Sequence, residues 1–365
     1  MRLFRLAGLI LLAPVLGTTI VAADARDAGD AGDARDAGDA GDAVVADAGW
    51  PDCSPVNDGH FPHNGTRGPF SSVLRVNATF KGSPLFALYP TVKKKTPLVV
   101  FMHGTAAKAE MYLPNLYNYA SHGFTVVFPY IKSPEADCCR RPIPPTNTNG
   151  QFILQGLEWA KNATADADSP LFERVDMSSV VIAGHSMGAT CSIMAGTRLA
   201  VANGVIDASA VKLISTQHPG VCGPFGPPPW PSTWMPSDLL HVSQTFPMLF
   251  TTATNDGAFW PAPMTAPHER GCFVKALGGS AANNIDATYV EFATSACLQD
   301  GGRAPFDDSG HNCPFKTGVE TPWVLTWMKH YAQQSGKSSA CKSMMASVNK
   351  GFGVNATIRY SRTDA

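Results

Sequence analysis

Gly184-His185-Ser186-Met187-Gly188 is the part of this 365-residue chain whose residue types and spacing point most directly to chemistry. The apolar run Val180-Val181-Ile182-Ala183 precedes it. The small-residue stretch Ala189-Thr190-Cys191-Ser192-Ile193-Met194-Ala195-Gly196 follows it. Strand, sharp turn and helix with serine at the apex form a nucleophile elbow. The turn forces the serine into a strained backbone, and a Cβ on either flanking residue would collide with the neighbouring strand or helix. The hydroxyl is then held at a helix N-terminus, where an oxyanion is favoured. The chemistry is nucleophilic attack on a carbonyl. The competing reading is a tight strand-helix turn with no chemistry. The β-branched run before the turn and the small residues after it favour the nucleophile.

Such a serine needs a base, a carboxylate to orient the base and donors for the oxyanion. Pro247-Met248-Leu249-Phe250-Thr251-Thr252-Ala253-Thr254 reads as a buried strand ending in the turn Asn255-Asp256-Gly257. Asp256 therefore stands at the carboxyl end of a strand, where doubly wound sheets place their sites. Asp307 and Asp308 are the reserves for the acid. Among ten histidines, His311 is the best placed base. It lies in Ser309-Gly310-His311-Asn312-Cys313, after the last candidate strand and before a helical run from Glu320 to Tyr331. His268 and His330 also follow Asp256, but His330 falls inside the helical pattern. Pro97-Leu98-Val99-Val100-Phe101-Met102 is an earlier strand, and His103-Gly104-Thr105 is its turn. The backbone N–H groups of Thr105 and Met187 are the expected oxyanion donors. His103 reads as a brace for that loop. No H-E-x-x-H and no paired C-x-x-C occurs, so the sequence calls for no metal and no cofactor.

These residues must be held by a sheet. From about Ser71 the chain alternates between strand and helix signals. Ser72 to Phe80 alternates as an edge strand. Glu110 to His122 is helical, Phe124 to Tyr130 a strand and Gln151 to Lys161 a helix. Val211 to Thr216 is a further strand, and Ala287 to Phe292 reads as the last. Repeated βα units with continuously apolar strands predict an α/β class, a mostly parallel, doubly wound sheet flanked by helices. Gly220 to Trp234 is a proline-rich, aromatic insertion. Phe225, Trp230 and Trp234 there, with Phe259 and Trp260 after Asp256, read either as walls of an apolar substrate cleft or as rings packed on the domain surface.

The boundaries are set by composition. Arg2 and Arg5, the apolar stretch Leu6 to Val21 and the small residues Val21-Ala22-Ala23 read as a signal peptide over residues 1–23, an address for secretion rather than a membrane span. Residues 24–49 repeat Asp-Ala-Gly and Asp-Ala-Arg, with eight Asp against two Arg. Nothing there can bury a core, so they read as a disordered acidic arm. Residues 50–335 form the catalytic domain and 336–365 a C-terminal extension. The net charge of −1 gives no basis for nucleic-acid binding. Nine cysteines in a secreted chain point to disulfides. Cys191, on the buried helix after the elbow, reads as the free one, and the pairing of the other eight is open. Sequons at Asn64, Asn77, Asn162 and Asn355 fit a glycoprotein.

The segments "FMHGTAAKAEMYLPNLYNYASHGFTVVFPY", "VDMSSVVIAGHSMGA", "PMLFTTATNDGAF", "SGHNCP" and "WVLTWMKHYA" occur in the order seen in cutinase-like polyester hydrolases and dienelactone-hydrolase-related esterases of the α/β-hydrolase superfamily. Over roughly residues 70–335 the chain resembles them, and it is more distantly similar to chlorophyllases and platelet-activating-factor acetylhydrolases. The resemblance implies Ser186 as nucleophile, His311 as base, Asp256 as orienting acid, and Thr105 and Met187 as oxyanion donors. It implies a secreted carboxylic-ester hydrolase for an apolar or amphipathic ester, small or polymeric. A chlorophyllase-like or lipid-ester hydrolase is the rival reading. A catalytically silent binding protein on the same fold is the rival of another class. That rival expects a missing triad member, whereas all three positions are filled.

Overall fold

Apolar runs bounded by turn residues become the strands, and amphipathic runs between them become the helices. The computed structural model describes residues 21–22, 68–70, 72–104, 107–130, 150–200, 205–219, 236–254, 256, 273, 277, 286–292, 311, 320–333 and 354–360. The strands are β1 (Val21–Ala22), β2 (Val73–Phe80), β3 (Ser83–Pro90), β4 (Thr96–Met102), β5 (Thr125–Pro129), β6 (Val175–His185), β7 (Val211–Gln217), β8 (Met248–Ala253), β9 (Ala287–Phe292) and β10 (Val354–Tyr360). The helices are α1 (Leu113–Ser121), α2 (Gln151–Ala165), α3 (Met187–Ala200), α4 (Pro236–Thr245) and α5 (Thr321–Met328). A π-turn, Lys329–Gln333, continues α5.

Among the described residues all ten strands join one sheet in the order β1-β2-β3-β5-β4-β6-β7-β8-β9-β10. From β5 to β9 every pairing is parallel, while β2, β3 and β10 pair antiparallel at the two sides. This is the α/β-hydrolase architecture. The parallel strands are largely apolar and buried because helices cover both faces. Leu98, Val100, Ile182 and Ile214 point to the layer of α2, α3 and α4, with Leu157, Ile193 and Val242. Val99, Phe101, Val181 and Leu213 point to the other layer, with Leu116 and Tyr119 of α1 and Val324 and Trp327 of α5. Strand order reverses around β4, between β5 and β6, and crossovers on opposite faces open a crevice at the carboxyl ends there.

Two strands escape a reading of sequence periodicity. β3 carries Pro84 and Pro90, and proline removes a ladder donor. Both sit at its ends, and Lys81 and Gly82, each with positive φ (49° and 78°), make the two-residue hairpin from β2. Residues 336–365, expected as an extension beyond the domain, contain β10, which pairs with β9 and becomes the last strand of the same sheet. Its apolar residues alternate over a short stretch far from the others, and only pairing reveals the partner. β1 falls within the expected signal peptide and adds two residues to the edge at β2. Residues 1–20 and 24–49 lie outside the described residues, as do Asn64 and the stretch from Gly220 to Trp234.

Candidate active site

Ser186 stands between the last residue of β6 and the first of α3, with φ at 55°. A side-chain-bearing residue in the left-handed region costs on the order of 1–3 kcal/mol, which the surroundings must offset. Its N–H donates to the Gln217 carbonyl at 2.9 Å, and its own carbonyl accepts from Thr190 N–H at 3.1 Å. The flanking glycines are required by close approach. A Cβ on Gly184 would lie 2.4 Å from the Gly188 carbonyl group, and one on Gly188 would lie 2.1 Å from the Met102 oxygen. Ser186 and Met187 are partly exposed, although His185 and Gly188 beside them are buried. Met187 begins α3, where backbone N–H groups point back toward the elbow.

The turn after β4 passes against the serine: a Cβ on Gly104 would meet the Ser186 Cβ at 3.0 Å. Gly104 N–H donates to the Tyr112 hydroxyl at 2.7 Å, and that hydroxyl reaches His185 Nδ1 at 3.2 Å. His185 Nε2 in turn reaches the His311 carbonyl at 2.8 Å. A carbonyl only accepts, so Nε2 carries the proton and Nδ1 accepts from the tyrosine. Burial is the main cause that holds the His185 pKa well below its ordinary value, with His311 and His218 adding to it. The ring stays neutral, and one chain of hydrogen bonds ties the β4 turn, the elbow and the His311 loop together. His103 Nδ1 donates to the Gly104 carbonyl at 2.7 Å, and its ring lies against Phe128 and Tyr130. It braces the turn, as its position suggested.

Asp256 and His311 meet although 55 residues separate them: His311 Nδ1 lies 2.6 Å from Asp256 Oδ1. An ionised carboxylate only accepts, so Nδ1 carries the proton and Nε2 is left as the basic atom. The two rings His185 and His311 are 4.8 Å apart, which sets His311 beside the elbow. Asp256 is 1 % exposed. Burial alone would raise its pKa. The imidazoles of His311 and His218 on its two oxygens outweigh that, and the group is held well below the usual carboxylate range.

His218 was not anticipated. It follows β7 in a left-handed conformation, φ 50°, with no exposed surface. Its Nδ1 donates to Asp256 Oδ2 at 2.6 Å, and its Nε2 makes a short contact with Glu320 Oε1. Thr252 Oγ1 donates to the same Asp256 oxygen at 3.0 Å, and Thr251 Oγ1 to Glu320 Oε2 at 2.8 Å. Desolvation pulls the His218 pKa down, but Glu320 and Asp256 prevail and raise it well above its ordinary value. The one local signal was a histidine directly after an apolar strand. Nothing in the sequence links it to Glu320, 102 residues on.

Ligand atoms of His218, Asp256 and His311 lie within 4.8 Å of one another. The nitrogens face the carboxylate oxygens at 2.6 Å, hydrogen-bond distances at which no cation fits between them. Among the expected site residues, Thr105, Phe225, Trp230, Trp234, Phe259 and Trp260 lie outside the described residues, as do Asp307, Asp308 and His268. His330 is buried in the π-turn after α5.

One expectation is overturned. Cys191, read as the free thiol, is disulfide-bonded, and its partner lies outside the described residues. Burial on the helix face was the ground for that reading, but a disulfide is itself apolar and buries as readily as a thiol. With nine cysteines, an odd one must fall elsewhere unless it bonds outside the chain.

No helix among the described residues is long and apolar enough to cross a membrane. No curated protein matches the chain. Residues 69–215 match the chlorophyllase family, a segment that runs from β2 through the elbow into β7. That is the family the sequence placed as a more distant likeness. The sheet order and the elbow are those of the α/β-hydrolase fold, and over residues 69–215 the chain is similar to chlorophyllases, an α/β-hydrolase family.

Proposed function

We propose that the chain is a secreted serine carboxylic-ester hydrolase with Ser186, His311 and Asp256 as its triad. The observation that carries this is the 2.6 Å pairing of His311 Nδ1 with Asp256 beside a strained serine elbow. In the reaction, Ser186 Oγ attacks the ester carbonyl while His311 Nε2 takes its proton. The N–H groups of Met187 and Thr105 hold the oxyanion. Its collapse expels the alcohol, protonated by His311, and leaves an acyl-enzyme. Water activated by His311 then attacks the acyl carbon, and the acid departs. Asp256 stays ionised throughout, holding the imidazole tautomer and stabilising the imidazolium.

An apolar or amphipathic ester is the substrate class this reading favours. The similarity to chlorophyllases over residues 69–215 keeps a chlorophyllase-like ester as the alternative substrate. The aromatic residues Phe225, Trp230, Trp234, Phe259 and Trp260 supply the apolar contact in this proposal. A fluorophosphonate probe should label the wild type and not Ser186→Ala. Equal labelling of both would refute the nucleophile. On a panel graded by alcohol and acyl length, Trp230→Ala and Trp260→Ala should raise KM for bulky esters by roughly 10-fold or more relative to acetates. A panel with unchanged ratios would remove those rings from the cleft.

A further inference from the structure

Asp256 uses both of its oxygens, and only one serves His311. The other accepts from His218 Nδ1 and Thr252 Oγ1. Behind His218 lies Glu320, whose second oxygen accepts from Thr251 Oγ1. His218 and Glu320 are both fully buried, on β7's exit and at the start of α5. The His218 and His311 rings meet edge to face with centroids 5.7 Å apart.

Proton bookkeeping fixes the charge of this string. Both ring nitrogens of His218 face carboxylate oxygens, so each of the two gaps needs a proton. Whichever atom holds the shared proton next to Glu320, Asp256, His218 and Glu320 together carry one negative charge. Packing alone gives no reason for the arrangement. Thr252 already satisfies the second oxygen of Asp256, and burying an additional His-Glu pair is at best neutral for stability. His218 also stands in a strained backbone conformation, which accompanies function more often than packing.

We infer that His218 and Glu320 are a positioning pair for the triad acid, locking the Asp256 carboxylate toward His311 and setting a protonated imidazole against its other oxygen. This rests on the triad proposed above. The other titratable groups facing the string are His185 at the end of β6, whose ring lies 5.9 Å from that of His218, and Tyr119 of α1 near Glu320. Burial keeps His185 neutral and raises the Tyr119 pKa, so neither changes charge in the working range.

The test is the pH profile of kcat/KM for p-nitrophenyl ester hydrolysis by the full chain, with thermal melts alongside. His218→Gln keeps a donor toward Asp256 but removes the positive charge. Its acid limb should move up by about one pH unit, the size expected for a unit charge at this separation in a partly screened interior. Its kcat should fall by roughly 10-fold or more, short of the ~10⁴-fold expected when the acid itself fails, with KM little changed. Glu320→Gln, isosteric and the gentler variant, should also lower kcat but leave the acid limb in place or move it down. If both fold and melt lower while kcat and the acid limb match the wild type, the pair is a stability device and the inference fails. If His218→Gln does not fold, Glu320→Gln decides alone: unchanged kcat refutes the inference. Fluorophosphonate labelling of the wild type separates the two ideas. A wild type that does not label sinks the triad, whereas a labelled one with insensitive variants sinks only the positioning pair.

Discussion

Asp256→Asn is the substitution for which the structure predicts the most specific outcome. Asparagine keeps the shape of the side chain but offers one accepting oxygen and one donating NH2 group in place of two accepting oxygens. Among the described residues three groups compete to donate to it. His218 Nδ1 and Thr252 Oγ1 converge on the Oδ2 side, at 2.6 and 3.0 Å, whereas His311 Nδ1 faces the Oδ1 side, at 2.6 Å. His218 keeps a proton on Nδ1, whichever atom holds the one it shares with Glu320 behind it. The single oxygen therefore turns to His218 and Thr252, and the NH2 turns to His311. Nδ1 of His311 must then accept, which moves its proton to Nε2, the atom that receives the Ser186 proton in the proposed mechanism. The base is lost by tautomer rather than by displacement. The expected loss in kcat is about 10⁴-fold, or about 5.4 kcal/mol of transition-state stabilisation. KM for p-nitrophenyl butyrate should change little, and the far-UV circular dichroism should overlay that of the wild type. A folded Asp256→Asn enzyme within tenfold of wild-type kcat would refute the tautomer argument and with it the role of Asp256.

Gly188→Ala should yield no soluble folded protein, because its Cβ would sit 2.1 Å from the Met102 carbonyl oxygen, which is backbone and cannot yield; recovery of a normal melting curve would contradict this. Tyr112→Phe removes the hydroxyl that accepts from the buried Gly104 N–H and meets His185 Nδ1, so it should cost roughly 1–3 kcal/mol in urea denaturation and lower kcat through the loosened β4 turn. His122 is buried near Lys329, and burial first, then that charge, brings its pKa down to about 3 from 6.5. The unfolded chain therefore takes up the proton first, and this contribution to stability is whole above pH 6.5 and drains away as pH falls toward 3. His122→Gln should flatten the acid dependence of the melting temperature over that window, and an unchanged slope would exclude His122 as its source. Non-reducing peptide mapping should recover Cys191 only in a disulfide-linked pair, and a freely alkylated Cys191 would contradict the bond.

Local chemistry decided much of this protein before any folding. The G-x-S-x-G turn was legible because glycine is needed at both flanks: a Cβ on Gly184 would clash with Gly188, four residues on in the same turn, although the clash at Gly188 is with Met102 of β4 and comes only with the fold. Asp256 was legible because a turn after an apolar strand has few places to go, and the βα alternation announced a parallel sheet from its unbroken apolar runs. Strand β10, the Cys191 bond and the His218–Glu320 pair were not legible, for one physical reason. Each depends on partners brought together across long stretches of chain, and neither periodicity nor propensity records who those partners are. His218 shows this most plainly: in the sequence it is a polar residue after a strand, and only the closed sheet and the start of α5 place a carboxylate on each side of its ring. The sequence by itself singled out the residues proposed to react. The tertiary structure alone decided which carboxylate oxygen faces which histidine, because that is set by the packing of β7, β8 and α5 rather than by any residue's own preference.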